Sequence, residues 1–147
     1  MYPYSIRRNP NFRKKQILKF YSEVQNAIIQ CSSFATGPQL QKSECFRTIA
    51  KELTLLADKN SIKKYLLIYS DVIENSDIIS GYSDEVYQAI DDEKAIEKAV
   101  KKFNKKDVLP DNLKGITVYI MYQPRSAEDD KLFTFFTNVY RILLEKR

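Results

Sequence analysis

Apolar residues recur three and four positions apart in four long parts of the chain, which is the spacing of one face of an α-helix. In the first part, Ile17, Tyr21, Val24 and Ile28 follow this spacing. The pattern predicts helices at about 11–30, 43–57, 84–105 and 128–146. It leaves open whether the third helix breaks near Asp91–Asp92.

Two short runs have the composition of β-strands, being rich in aromatic and branched residues. The run "KYLLIYS" covers residues 64–70, and "ITVYIMY" covers residues 116–122. The first run does not alternate with polar residues, which predicts a strand covered on both faces. Because a long predicted helix separates the two runs, we expect a right-handed βαβ unit with parallel strands.

The order helix, helix, strand, helix, strand, helix is typical of an α/β domain with helices on both faces of a mostly parallel sheet. We therefore predict a single three-layer, Rossmann-like α/β domain over residues 1–147, with few strands in this chain. Sheets commonly have roughly four or more strands, so residues 1–6 or 28–34 are considered as a further strand. Residues 1–10 are expected to form a flexible basic arm.

The totals agree with an ordinary globular domain. Of the 147 residues, 44% are hydrophobic and 29% are charged, close to the usual composition of soluble domains. No run approaches the roughly 20 apolar residues of a membrane span, and the N-terminus lacks the apolar segment of a signal peptide. We therefore expect no membrane span and slightly favour a cytoplasmic location.

The chain contains no histidine, the commonest general base and a common metal ligand. This argues strongly against zinc hydrolase and Ser-His-Asp chemistry. Any bound metal is expected to be a hard cation held by oxygen ligands. Cys31 and Cys45 either pair or, as we favour, are small buried thiols, because free cysteine packs like a hydrophobic residue.

Positive charge is concentrated in the first half of the chain. Residues 1–70 contain 12 Lys/Arg and 4 Asp/Glu, a balance of +8, whereas residues 71–147 contain 12 and 15, a balance of −3. The basic stretch "RRNPNFRKK" is typical of contacts with nucleic acid or an acidic partner. A solvated arm is the interpretation that we favour, and nucleic-acid binding stays as an alternative function.

Polar side chains follow both predicted strands, at the sheet edge where open parallel sheets bind their ligands. Asp71, Glu74, Asn75 and Ser76 follow the first strand, and Arg125 follows the second. The alternative is that Asp71 and Ser76 cap the turn, since such residues are frequent in turns for that reason. A small hydrolase using Asp71 and Glu74 as acid and base is a further hypothesis, although no motif positions a nucleophile.

Three stretches resemble parts of the von Willebrand factor A family. The stretch "YLLIYSDVIENS" resembles the strand and loop that supply the family's third metal-site motif, an Asp after a hydrophobic strand. "TGPQLQKSECFRTIAKEL" resembles the segment with the second motif, a Thr or Ser before a helix, and "GITVYIMY" resembles the next strand. The likeness covers most of residues 11–147 and is greatest to a divergent bacterial branch.

The resemblance implies a metal-ion-dependent adhesion site, in which Mg²⁺ is bound and an acidic residue of a partner protein completes the coordination. Asp71 matches the third motif, and Ser43 or Thr36 matches the second, with Ser43 preferred because it directly precedes the helix. Neither the family's first motif, Asp-x-Ser-x-Ser, nor the first strand that carries it has a counterpart in the sequence. The resemblance therefore implies a protein-binding module with an incomplete or degenerate metal site. In this module the partner is contacted by four loop residues, Glu74, Asn75, Ser76 and Arg125.

Overall fold

The computed structural model describes residues 10–34, 42–145 and 147. The chain divides into two compact units, Met1–Gln39 and Leu40–Arg147. Of the first unit, the described part is one helix, α1 (Pro10–Phe34), with proline at its first position, where a missing N–H costs nothing. Residues 28–34, considered above as a strand, belong to this helix. The proposed strand at 1–6 and the predicted arm lie outside the described residues, except for Pro10.

The described part of the second unit contains four helices and two strands, in the predicted order except that two helices lie between the strands. Its elements are α2 (Cys45–Ala57), β1 (Lys64–Tyr69), α3 (Asp84–Gln88), α4 (Glu93–Asn104), β2 (Ile116–Met121) and α5 (Ala127–Glu145). The predicted third helix is thus two helices. Asp92 lies between them and accepts a hydrogen bond from Lys94 N at 2.9 Å. A side-chain cap of this kind satisfies a free N–H and begins α4 at this position.

The two strands are parallel, which confirms the predicted α/β class. They pair in register from Lys64 opposite Ile116 to Tyr69 opposite Met121. Alternate residues of both strands are half-buried or exposed. On the outer face, Tyr65 is 53%, Leu67 60% and Tyr69 77% exposed. Within the described residues, only the even-numbered face of β1 packs on the core, which differs from the prediction that β1 is covered on both faces.

The core of the second unit forms where α2, α4 and α5 meet the inner face of the sheet. Phe46, Phe103 and Tyr140 lie at its centre, and the rings of Phe46 and Phe103 are 4.7 Å apart in an edge-to-face arrangement. Such aromatic pairs bury much apolar area and add a directional attraction. The apolar positions that the helical spacing predicts in α2, α4 and α5 supply most of this core.

Gly115 sets where the chain enters β2. Its φ is +79°, and a Cβ at this position would lie 2.6 Å from the Ile62 carbonyl oxygen. Glycine tolerates both the left-handed backbone and this close approach. The register of β2 beside β1 depends on this tight entry, because Lys64 N donates to Gly115 O at 2.8 Å at the start of the ladder.

Candidate functional site

The loop after β1 begins with a turn that its own side chains hold. Asp71 Oδ1 accepts a hydrogen bond from Ile73 N at 3.1 Å, and Ser70 Oγ accepts one from Val72 N at 3.1 Å. Val72 has a φ of +51°, a conformation that costs a branched residue about 1–3 kcal/mol. Val72 and Ile73 are buried, so the turn sends apolar side chains into the core. Asp71 therefore has the turn-capping role considered as the alternative.

Ser43 joins the segment before α2 to the loop after β1. Ser43 N donates to Asn75 O at 3.0 Å, and Asn75 N donates to Ser43 O at 2.9 Å. In addition, Ser43 Oγ donates to the Ile73 carbonyl at 2.8 Å. Two segments about thirty residues apart in sequence are thus bound side by side at the carboxyl end of β1. Thr36, the other candidate for the second motif, lies outside the described residues.

Glu74 is fully buried and lies at the start of α2. Its Oε2 accepts a hydrogen bond from Phe46 N at 2.8 Å, while Glu44, the residue before the helix, makes no side-chain cap. Among the described residues, Glu74 Oε1 has no hydrogen-bond partner. Burial raises the pKa of Glu74, against the opposing effects of the Ser76 hydroxyl, the Phe46 N–H and Arg47. Glu74 thus caps a helix from a distant loop and is not available to a partner in solution.

The remainder of this loop is fixed by polar contacts. Ser76 Oγ accepts from Ile78 N at 3.1 Å, and Asn75 Oδ1 accepts from Ser80 Oγ at 3.0 Å. Asp77 pairs with Arg47 of α2 and with Lys106 beyond α4, each at 2.7 Å. These two cations, Lys106 first, lower the pKa of Asp77 to about 2. Asn75 and Ser76 therefore belong to a loop that is bound to α2 and to the segment after α4.

Cys45 lies beside this loop as a free, half-buried thiol. Its sulfur is 3.2 Å from Ser43 Oγ. Burial raises the pKa of the Cys45 thiol, although its contact with Ser43 acts in the opposite direction. A thiol in this state is a weak nucleophile at neutral pH. The side chain of Cys31 lies outside the described residues.

The loop after β2 forms a small cleft at the same end of the sheet. Its walls come from five residues, Tyr69, Tyr122, Gln123, Pro124 and Arg125, and its volume is about 400 Å³. Tyr122 Oη and Arg125 N both donate to Asp129 Oδ2, each at 2.8 Å. The Asp129 hydrogen bond raises the pKa of Tyr122 to about 12.

Tyr69, Tyr122 and Asp129 were not among the sequence-predicted site residues. The signal for Asp129 is the spacing Ser126-x-x-Asp129, which resembles a helix capping box. Ser126 Oγ accepts from Asp129 N at 3.1 Å. At this helix start, Asp129 also binds the backbone N–H of Arg125. The Arg125 side chain remains exposed at the rim of the cleft.

The residues predicted to bind a metal make other contacts in this structure. Among the described residues, no three His, Cys, Asp or Glu side chains gather closely enough to hold a metal ion. Asp71 Oδ1 accepts a hydrogen bond from Ile73 N, and the Ser43 hydroxyl donates one to the Ile73 carbonyl oxygen. Both side chains therefore hold the backbone of the loop after β1.

The alternative functions are affected differently by the geometry. If Asp71 and Glu74 were the acid and base of a hydrolase, Glu74 could not reach a substrate, because it has no exposed surface. For nucleic-acid binding, Arg13, Lys14 and Lys15 are exposed on α1, whereas the other arginines of the basic stretch lie outside the described residues. Across the described part of the chain, no helix is long and apolar enough to cross a membrane.

Comparison with protein-family models, with curated proteins and with solved structures finds no match to this chain.

Proposed function

We propose that this chain is a protein-binding module of the von Willebrand factor A type, with an incomplete metal-ion-dependent adhesion site at the carboxyl ends of β1 and β2. One observation carries the proposal. The backbone bridge between Ser43 and Asn75 unites the segment resembling the family's second motif with the loop resembling its third. This union occurs at the strand ends, where parallel sheets bind their ligands.

The same proposal gives the domain a three-layer, Rossmann-like architecture. The buried side chains of α2, α4 and α5 form the layer on the inner face of the sheet. The outer face carries Tyr65, Leu67, Tyr69, Tyr119 and Met121, all exposed and none of them charged. Exposed apolar patches of this kind mark surfaces that become covered. A further layer over this face completes the architecture that the resemblance implies.

The chemistry of the cleft favours a partner with an acidic residue. Arg125 presents an exposed guanidinium beside the aromatic ring of Tyr69 and the amide of Gln123. A guanidinium binds a carboxylate by two parallel hydrogen bonds. In our proposal Arg125 therefore binds the partner's acidic residue directly, and Asp71 and Ser43 hold the loop in place. Asn75 and Ser76 add polar contacts at the edge of the site.

The test is selection of displayed peptides on the immobilised full chain, followed by fluorescence anisotropy with one selected peptide. We expect Arg125→Ala to weaken binding about tenfold or more, as loss of a charged contact does. Arg13→Ala, which removes an equal charge from the exposed surface of α1, should leave the affinity unchanged.

Two results would overturn the proposed direct contact between Arg125 and the partner's acidic residue. The first is peptide binding that is equal in the wild type and in Arg125→Ala. The second is binding that disappears when EDTA replaces Mg²⁺, because a direct contact between arginine and carboxylate needs no ion.

A further inference from the structure

Among the residues that the structure describes, no strand lies beside one edge of β2. Within the described residues, the sheet contains only β1 and β2. Lys64 N donates to Gly115 O, and Ser70 N donates to Met121 O. Since backbone groups alternate between the two sides of a strand, those of Val118 and Ile120 face away from β1.

This edge lacks the features by which proteins prevent further strand pairing. Such edges are usually interrupted by lysine, proline or a bulge. The six residues of β2, Ile116–Met121, have the sequence ITVYIM and contain no charge, no proline and no glycine. Their register against β1 runs without a bulge. The sequence and register of β2 therefore permit another strand to pair with this edge.

A groove runs beside this edge, between β2 and α5, and we name it the β2–α5 groove. It has a volume of about 720 Å³ and is lined by side chains of both elements, with no residue of β1. Its floor is apolar, with Ile116, Val118 and Ile120 from the strand and Phe133 and Leu144 from the helix. The groove therefore lies on the unpaired side of β2, where a neighbouring strand would place alternate side chains.

The rim of the β2–α5 groove carries two basic residues, Lys114 and Arg141, and one acidic residue, Glu145. Arg147 also lines the groove, but its guanidinium donates to the Leu109 carbonyl at 3.0 Å and lies 3.8 Å from Asp111. The basic charge of the rim favours an acidic segment as occupant. It disfavours a second copy of the chain, because two-fold pairing of β2 with itself would bring two basic rims into one interface.

We infer that the edge of β2 and the β2–α5 groove bind an extended, acidic segment of a partner protein, added to the sheet as a third strand. The main chain of the segment pairs with Val118 and Ile120. Its alternate apolar side chains enter the groove, and its acidic ends face Lys114 and Arg141. Recognition of this type takes affinity from main-chain hydrogen bonds and specificity from the side-chain pockets. This surface is independent of the cleft around Arg125.

The experiment uses the full chain and a synthetic peptide of about eight residues, with alternating valine and threonine between terminal glutamates. Amide hydrogen exchange followed by NMR should show that the peptide protects Val118 and Ile120 about tenfold or more. The amides of Thr117 and Tyr119, which face β1, should not change. A peptide with terminal lysines should bind at least about tenfold more weakly.

Two N-methylated peptides distinguish strand addition from non-specific binding. In one, every valine nitrogen is methylated, and in the other, every threonine nitrogen. Because the two sets of N–H groups face opposite edges of an extended strand, only one methylated peptide should lose binding. Arg141→Glu should weaken binding of the acidic peptide, whereas Arg13→Glu should not.

Equal binding of both methylated peptides would overturn the inference. So would strong protection of the Val118 and Ile120 amides in the chain without peptide, because the edge would then be paired already. Sedimentation of the free chain would distinguish pairing with a second copy from pairing within the chain.

Discussion

At Glu74, a carboxylate without exposed surface accepts the Phe46 N–H at 2.8 Å. A buried carboxylate that caps a helix combines two opposed effects. Loss of water disfavours its charge, whereas the N–H groups of a helix N-terminus favour it. Here burial is the largest cause, so the pKa of Glu74 lies above its usual value of 4.5.

This residue makes stability depend on pH in a direction that can be tested. The folded chain holds the Glu74 proton more tightly than the unfolded chain does. The resulting stabilisation is complete below pH 4.5 and is lost as the pH rises through the folded pKa. Glu74→Gln keeps an acceptor for Phe46 N and does not ionise. Urea unfolding between about pH 4 and 8 should therefore show the variant gaining stability relative to the wild type as the pH rises.

Glu52→Gln is the matched control, because Glu52 is an exposed glutamate on the same helix, α2. Its stability should follow that of the wild type across the range. If the curves of Glu74→Gln and the wild type run parallel, ionisation of Glu74 does not contribute to the pH dependence of folding.

Asp71 is the residue on which the resemblance to an adhesion site depends most, and its structural role gives a second prediction. Asp71→Ala removes the acceptor for Ile73 N at a buried turn, which should lower the free energy of unfolding by about 1–3 kcal/mol. Asp71→Asn keeps the acceptor oxygen and should cost much less. Chemical denaturation of the three chains provides the comparison. Equal stability of the alanine variant and the wild type would contradict the capping role.

Among the elements, the two strands raise the question of what stabilises so small a sheet. An isolated two-stranded sheet is marginally stable in water, and here the inner face alone contacts the core. The exposed tyrosines and leucine of β1 form a surface that is unusual for solvent contact. This is the physical reason for a further layer in the proposed architecture.

Two exposed leucines provide the test of that layer. Leu67 on the outer face of β1 is 60% exposed, and Leu55 on α2 is 48% exposed. If a further layer covers the sheet, Leu67→Lys places an ammonium group in an apolar contact and should lower the melting temperature by several degrees. Leu55→Lys should change the stability by less than about 0.5 kcal/mol. An equally small effect at both positions would show that the outer face of β1 remains in water.

The starts of α4 and α5 can be located from local sequence patterns. The break between α3 and α4 follows from Asp92, whose side chain caps the second helix. The acidic first turn of α5 likewise suits the positive end of a helix. These signals act within one or two turns, so they can be recognised without knowing what the helix packs against.

At the scale of the whole molecule, two separate surfaces of the second unit are proposed to bind protein. The cleft around Arg125 lies at the carboxyl ends of the strands, and the β2–α5 groove lies along one side of β2. The two experiments use different substitutions, Arg125→Ala and Arg141→Glu. Failure of either proposal therefore leaves the other to be judged by its own result.

The helices, both strands and most of the core could be predicted from the sequence, because periodicity and capping depend on residues a few positions apart. The location of a polar loop at the end of β1 was predictable for the same reason. The parallel arrangement could be predicted because a long helical segment separates the two strands. The tertiary structure alone decided that Glu74 is buried, that Ser43 pairs with Asn75, and that one face of β1 packs on the core while the other is exposed. Each of these outcomes depends on segments far apart in sequence, and their packing decides which polar groups lose contact with water.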